Sequence, residues 1–306
     1  MAGAMPHGWI ILDKPLGLGS TQAVAAVKRN LRQAGYGKVK VGHGGTLDPL
    51  ASGVLPIAVG EATKLAGRML DATKEYAFVL RFGEETDTLD AEGRVMATSE
   101  VRPSLAGVEA MLPRFTGAIE QVPPAFSALK VEGRRAYDLA RAGEEVELDV
   151  RNVEIFSLSA SSGREGCVEE VLFTAHVSKG TYIRALARDI AHALGTVGHV
   201  TMLRRLRAGP FDLSRAISLD KLNEVGQGAP LEDVILPLEA GLDDIPALDL
   251  DPEAARAVRQ GRVLSGLPQD DGLYWARAGR LPVALMELSG GDARVVRGFN
   301  LSDVAE

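Results

Sequence analysis

The chain has one cysteine, Cys167, in 306 residues. That excludes a disulfide framework and every cysteine-based zinc site, and it predicts a reducing compartment. No apolar run approaches the roughly 20 residues that a membrane-spanning helix needs. Residues 1–8 have neither the basic start nor the apolar stretch of a signal peptide. The expectation is a cytoplasmic protein. Cofactor and hydrolase signatures are also missing. Gly42, Gly44 and Gly45 fail the dinucleotide-loop spacing because position 47 is Leu, and no P-loop or nucleophile elbow occurs. The five histidines (His7, His43, His176, His192 and His199) show no metal-ligand spacing beside carboxylates. Neither a cofactor nor a metal is expected.

What is present is ordinary in bulk and uneven in detail. Apolar residues at 46% and charged residues at 25% fit a soluble chain of one large domain or two unequal ones. The net charge of −7 argues at first against nucleic acid. Its distribution argues otherwise: residues 1–81 and 176–215 each carry +5, while 82–175 carry −9 and 216–306 carry −8. Folding can join the two basic blocks into one positive face, a local footprint rather than a broad one.

Strands are predicted at 8–13, 53–59, 76–82, 145–157, 167–177 and about 199–207. Helices are predicted from Ser20 or Thr21, at 61–70, 104–113, 133–142 and 181–194, with loops at 39–52 and 84–93. Strands outnumber helices and lack a regular βαβ rhythm. The fold class is therefore α+β, with a mixed, largely antiparallel central sheet flanked by helices. Residues 1–222 read as the main domain, the acidic Gly/Pro-containing stretch 223–246 as a linker or connecting segment, and 247–306 as a small β-rich module.

Two segments concentrate chemistry. In the first, 42–56, four glycines (Gly42, Gly44, Gly45 and Gly53) permit close backbone approach, and Pro49 holds Asp48 extended. An isolated Asp-Pro is usually a solvated turn. Here Leu47, Leu50, Val54 and Leu55 would surround the carboxylate with core, and a buried carboxylate needs a cation. The second, Ser178-Lys179-Gly180-Thr181-Tyr182-Ile183-Arg184, supplies one where a strand gives way to a helix, so Arg184 can clamp Asp48 bidentately.

These segments, with Leu12-Asp13-Lys14-Pro15, Gly60-Glu61-Ala62-Thr63-Lys64, Lys74-Glu75-Tyr76, the run 86–93 and the run 124–130, resemble the TruB family of tRNA pseudouridine synthases over residues 8–211. The resemblance implies a pseudouridine synthase fold and isomerisation of uridine 55 in the T arm of tRNA, without cofactor, guide RNA or obligatory protein partner. It maps the catalytic aspartate onto Asp48, as a nucleophile at the sugar or as a base on a glycal route. Tyr76 would stack on the uracil and assist loss of the C5 proton. His43 would fill the space left by the flipped base. Tyr182 and Leu203 match positions that contact the flipped nucleotide, and Asp90 is read as a positioning residue. Lys14, Lys64 and Lys179, with Arg204, Arg205 and Arg207, are candidates for phosphate contacts. Residues 255–261 and 294–299 resemble a short PUA-type RNA-binding module. A tRNA-folding chaperone, a guide-RNA-dependent enzyme and a glycoside hydrolase using Asp90 as its acid are the alternatives.

Overall fold

The computed structural model describes residues 5–127, 129–131, 133–144, 146, 148–162 and 166–301. In chain order the strands begin with β1 (Gly8–Lys14), β2 (Val41–His43), β3 (Ala51–Val59) and β4 (Lys74–Phe82). A ribbon of β5 (Glu84–Thr86) and β6 (Val95–Thr98) follows, then β7 (Gly117–Gln121) and a short hairpin, β8 (Lys130–Val131) and β9 (Arg134–Arg135). Next come β10 (Arg151–Ser161), β11 (Glu170–Val177), β12 (Gly198–Ala208) and β13 (Phe211–Asp212). The helices are α1 (Ser20–Gln33), α2 (Ala66–Asp71), α3 (Leu105–Met111), α4 (Ala136–Arg141), α5 (Ile183–Ala193), α6 (Leu219–Gly226) and α7 (Pro252–Arg259).

Nine strands form the main sheet in the order β1-β3-β12-β4-β11-β10-β7, with β13 on β12 and β2 on β3. Only β3 and β12 run parallel; every other pair in this sheet is antiparallel. Alternation explains the central strand. Phe78, Leu80 and Phe82 point into one core, where Phe78 stacks on Phe173 of β11 with ring centroids 5.0 Å apart. Helix α5 lays Ile183, Leu186, Ala187 and Ile190 on that core, the i, i+3, i+4, i+7 spacing of a buried stripe. A second core joins Val24, Val27 and Leu31 of α1 to Leu222 and Val225 of α6. A third gathers Trp9, Ile11, Val54 and Phe211.

Several local expectations change. The 39–52 loop contains β2, and the 84–93 loop opens with β5, which pairs with β6. The expected helix at 133–142 is shortened to α4, because β9 precedes it and pairs with β8. The strand expected from 145 starts at Arg151; positions 145 and 147 lie outside the described residues. The connecting segment 223–246 is packed rather than loose. Leu231, Val234, Leu238 and Leu242 are buried, and Leu236 exchanges backbone hydrogen bonds with Trp9.

Beyond it, β14 (Ala247–Asp249), β15 (Gly272–Ala278), β16 (Leu281–Ser289) and β17 (Asp292–Gly298) make a second, four-stranded sheet in that order. Helix α7 covers it, with Ala255 and Val258 in its core. Leu285 and Phe299 of this module enter the third core of the main domain. No helix among the described residues is long and apolar enough to cross a membrane.

Candidate active site

The loop carrying Asp48 is held by three buried polar side chains from three different elements. Ser20 of α1 donates its hydroxyl to the Leu47 carbonyl and accepts from the Leu47 amide, both at 2.8 Å. Arg205 of β12, 1% exposed, donates Nε to the Val54 carbonyl at 2.7 Å and its two terminal nitrogens to the Thr46 and Gly45 carbonyls at 3.2 Å. Lys14 of β1 is fully buried and donates to the carbonyls of Pro15 at 3.0 Å, Leu18 at 2.5 Å and Pro49 at 3.4 Å. Gly53 lets the backbones meet: its φ is +103°, and a Cβ there would lie 2.2 Å from the Arg205 carbonyl oxygen. The loop is therefore set from below by backbone contacts, and its one carboxylate is left to face the cleft.

Asp48 meets Arg184 in that cleft. Arg184, whose side chain is 8% exposed, donates Nη2 to Asp48 Oδ2 at 2.9 Å and places Nη1 3.2 Å from Asp90 Oδ2. The same guanidinium donates to the carbonyls of Thr88 at 2.7 Å and Phe126 at 3.0 Å. The fork is thus spread over two carboxylates instead of clamping one. Asp48 is also not enclosed by its apolar neighbours: its side chain is 44% exposed, and the buried partner is the arginine. The difference has a clear cause, since Leu47, Val54 and Leu55 point away into the core while Pro49 and Leu50 remain partly open.

Asp90 has both oxygens committed. Oδ2 faces Arg184, and Oδ1 accepts from the Thr88 hydroxyl at 2.6 Å and the Glu92 amide at 3.1 Å. It braces the guanidinium and has no free oxygen for an acid's role. Leu89 beside it has a φ of 63°, the one non-glycine residue in the left-handed region among the described residues. Such strain persists where the surroundings fix it, here by the hydrogen bond from the Val200 amide to the Leu89 carbonyl.

The cleft is lined by Asp48, Leu50, Asp90, Arg184, Met202 and Leu203. Tyr76 and Leu203 sit on adjacent strands β4 and β12, each partly buried and packed against both main cores, at the seam between them. Tyr182 caps the N-terminus of α5, two residues before Arg184. Its backbone is gripped by Gln121, which accepts from the Tyr182 amide at 2.8 Å and donates to its carbonyl at 3.1 Å. Burial pushes the Tyr182 phenol up. His43 lies on β2 with Nδ1 buried and unpartnered, and burial, with the Arg205 charge, lowers its pKa.

The basic candidates divide. Lys14 and Arg205 are enclosed and spent on carbonyls, so neither reaches a phosphate; they shape the loop instead. Burial pushes Lys14 down to about 8, and Lys74, which donates to the Leu70 and Ala72 carbonyls, likewise to about 8. Lys64 is tied to Glu61 at 2.7 Å and to the Gly298 carbonyl at 2.8 Å, where it joins the C-terminal module to the main domain. Arg204 pairs with Asp13 at 2.8 Å. Lys179, paired with Asp71 at 2.8 Å, and Arg207 remain open to solvent. Sequence reasoning missed Ser20, Gln121 and Arg151, whose partners lie 27, 61 and 31 positions away.

Comparison with known proteins gives the family. Residues 29–183 match the model of the TruB family pseudouridylate synthase N-terminal domain, and residues 184–243 that of the tRNA pseudouridylate synthase B C-terminal domain. The chain is 75% identical to a protein named tRNA pseudouridine synthase B from Novosphingobium aromaticivorans, over 99% of this chain and all of that one. It is 57% identical to the protein of the same name from Zymomonas mobilis, over 96% of each. Among solved structures, a chain in an H/ACA ribonucleoprotein bound to a substrate RNA containing 2′-deoxyuridine superposes with a TM-score of 0.72 at 26% identity, over 97% of this chain and 86% of that one. The archaeal box H/ACA Nop10–Cbf5 complex gives a TM-score of 0.70 at 26% identity, over 97% and 87%. The chain belongs to the TruB family of pseudouridylate synthases.

Proposed function

We propose that this protein isomerises uridine to pseudouridine at position 55 in the T arm of tRNA, acting in the cytoplasm without guide RNA. The observation that carries the reading is the half-exposed Asp48 carboxylate, fixed at 2.9 Å by a buried arginine at the floor of a cleft. A carboxylate so placed stays open to a sugar while its direction is set, which suits attack at C1′ or removal of a sugar proton. The N1–C1′ bond breaks, the uracil turns, C5 bonds to C1′, the C5 proton leaves and N1 takes one from water. Tyr76 lies at the seam beside Leu203, where a ring can stack on the base and a hydroxyl can take the C5 proton. Tyr182 and Leu203 form walls for the flipped nucleotide, and His43 braces the space it leaves.

Phosphate contacts are assigned to Lys179 and Arg207, the candidates left in solvent. The C-terminal module, PUA-like in this reading, offers exposed Arg256, Arg294 and Arg297 to the acceptor end of the tRNA. The test is a tRNA transcript carrying tritium at uridine C5, incubated with the purified protein alone. Release of one tritium per transcript supports the reading. Tight binding without release would favour a tRNA-folding protein.

A further inference from the structure

Arg151 opens β10 and faces Gln121 of β7 in the register of the sheet. Its guanidinium carbon lies 5.8 Å from the centre of the Tyr182 ring, and its Nη1 is the nearest atom, at 3.6 Å, to where a Cβ on Gly180 would stand. The cation is therefore lodged against the 178–182 turn that leads into Arg184. The Tyr182 hydroxyl feels both the Arg151 charge and the Asp48 charge, so the cation and the catalytic carboxylate share one neighbour.

What sets Arg151 apart is a guanidinium partly withdrawn from water, with an aromatic ring and no acceptor beside it. Arg184 and Arg204 have carboxylates, and Arg205 has three carbonyls. The half-buried Arg151 side chain makes no ion pair or hydrogen bond among the described residues, and its Nε is buried without an acceptor. A guanidinium offers five donors in a planar fork. Withdrawing it partly from water with no acceptor is unfavourable, and contact with the Tyr182 face offsets only part of that. The fork favours an anionic acceptor that can receive two parallel hydrogen bonds, brought beside Tyr182 by the substrate. A phosphodiester of RNA meets each condition.

We propose that Arg151 binds a backbone phosphate flanking the target nucleotide, with the Tyr182 ring holding the guanidinium plane. The assignment rests on the reading of the protein as an enzyme of tRNA. Gln121 fixes the Tyr182 backbone from the neighbouring strand and is the positioning residue of this contact.

The experiment uses a T-arm hairpin that carries pseudouridine at the target position, so that binding is measured without turnover. Affinity is followed against salt for the wild type, Arg151→Met and Arg151→Lys. Loss of one phosphate contact makes the log–log salt slope shallower by roughly 0.7–0.9. Arg151→Met should show that change with about tenfold weaker binding, and Arg151→Lys should keep the wild-type slope. A methylphosphonate at one linkage beside the target should weaken the wild type and leave Arg151→Met unaffected. An unchanged slope in Arg151→Met overturns the proposal, because a residue that merely packs on Tyr182 would not alter it. Should thermal melts show that methionine impairs folding, Arg151→Gln replaces it, and wild-type binding that ignores a methylphosphonate placed in turn at the linkage on either side of the target overturns the proposal by itself. Wild-type turnover on the uridine hairpin is run in parallel. Absence of turnover counts against the assigned activity, whereas turnover with an unchanged slope counts against Arg151 alone.

Discussion

Replacing Arg205 with methionine removes the guanidinium beneath the loop that carries Asp48 while keeping most of the side chain's length. Three carbonyls lose their donor, those of Gly45 and Val54 in buried hydrogen bonds and that of Thr46 in a part-buried one. Each buried acceptor left unpaired costs about 1–3 kcal/mol. Acting the other way, the methionine relieves the burial of a cation and its repulsion of Lys14, Lys74 and His43. The expected net loss is about 3 kcal/mol, read as a lower urea midpoint. Activity should fall further than stability does. Gly45 and Thr46 lie just before Asp48 in the chain, and a carboxylate misplaced by ~1 Å loses roughly 100-fold in rate. Turnover is measured by tritium release well below the unfolding transition, normalised to folded protein. A local readout accompanies it: the His43 pKa, held down by burial and by Arg205, should rise in the variant when followed by NMR titration. Wild-type turnover per folded molecule together with an unmoved His43 would mean that Arg205 does not set the loop.

Arg184→Lys keeps the charge but cannot reach Asp48, Asp90 and the Thr88 and Phe126 carbonyls together. Turnover should drop by about 100-fold or more with little change in tRNA affinity, as single-turnover kinetics and filter binding would show. Lys14 and Lys74, ordinarily at 10.5, sit at about 8 in the fold. Below pH 8 both the folded and the unfolded chain hold these protons. Between about pH 8 and 10.5 only the unfolded chain does, so the contribution of the two lysines to stability rises with pH across that window. Urea midpoints at pH 7.5, 8.5 and 9.5 should show the rise, and the Lys14→Met, Lys74→Met double variant should flatten it. Tyr76→Phe keeps the packed ring and removes the hydroxyl. Turnover should fall with tRNA binding retained, and full activity would leave Tyr76 a stacking role only.

The pairing of Asp48 with Arg184 across 136 positions was legible because each lies in a motif whose local geometry is readable, a glycine-rich loop and a strand-to-helix turn. The mixed sheet was legible from alternation such as Phe78, Leu80 and Phe82. Burial of charge was not. Lys14 and Arg205 look like any basic residue in the chain, and only the parallel pairing of β3 with β12 brings Arg205 under the loop. Gln121 and Arg151 were missed because their significance depends on Tyr182 arriving beside β7 and β10. In 223–246 the Gly and Pro content suggested a linker. The better signal was the stripe of Leu231, Val234, Leu238 and Leu242, spaced three to four residues apart and buried throughout.

In the proposed function the Asp48 carboxylate acts on the sugar, and Arg184 with the loop contacts places it. Asp48→Asn keeps the side chain's size and can still accept from Arg184, so the fold and the cleft should survive. Wild type and Asp48→Asn are compared on a transcript tritiated at uridine C5, with tRNA binding measured on the same samples. One tritium should be released by the wild type and none by the variant, with comparable binding by both. Tritium release by Asp48→Asn at a rate near that of the wild type would contradict it.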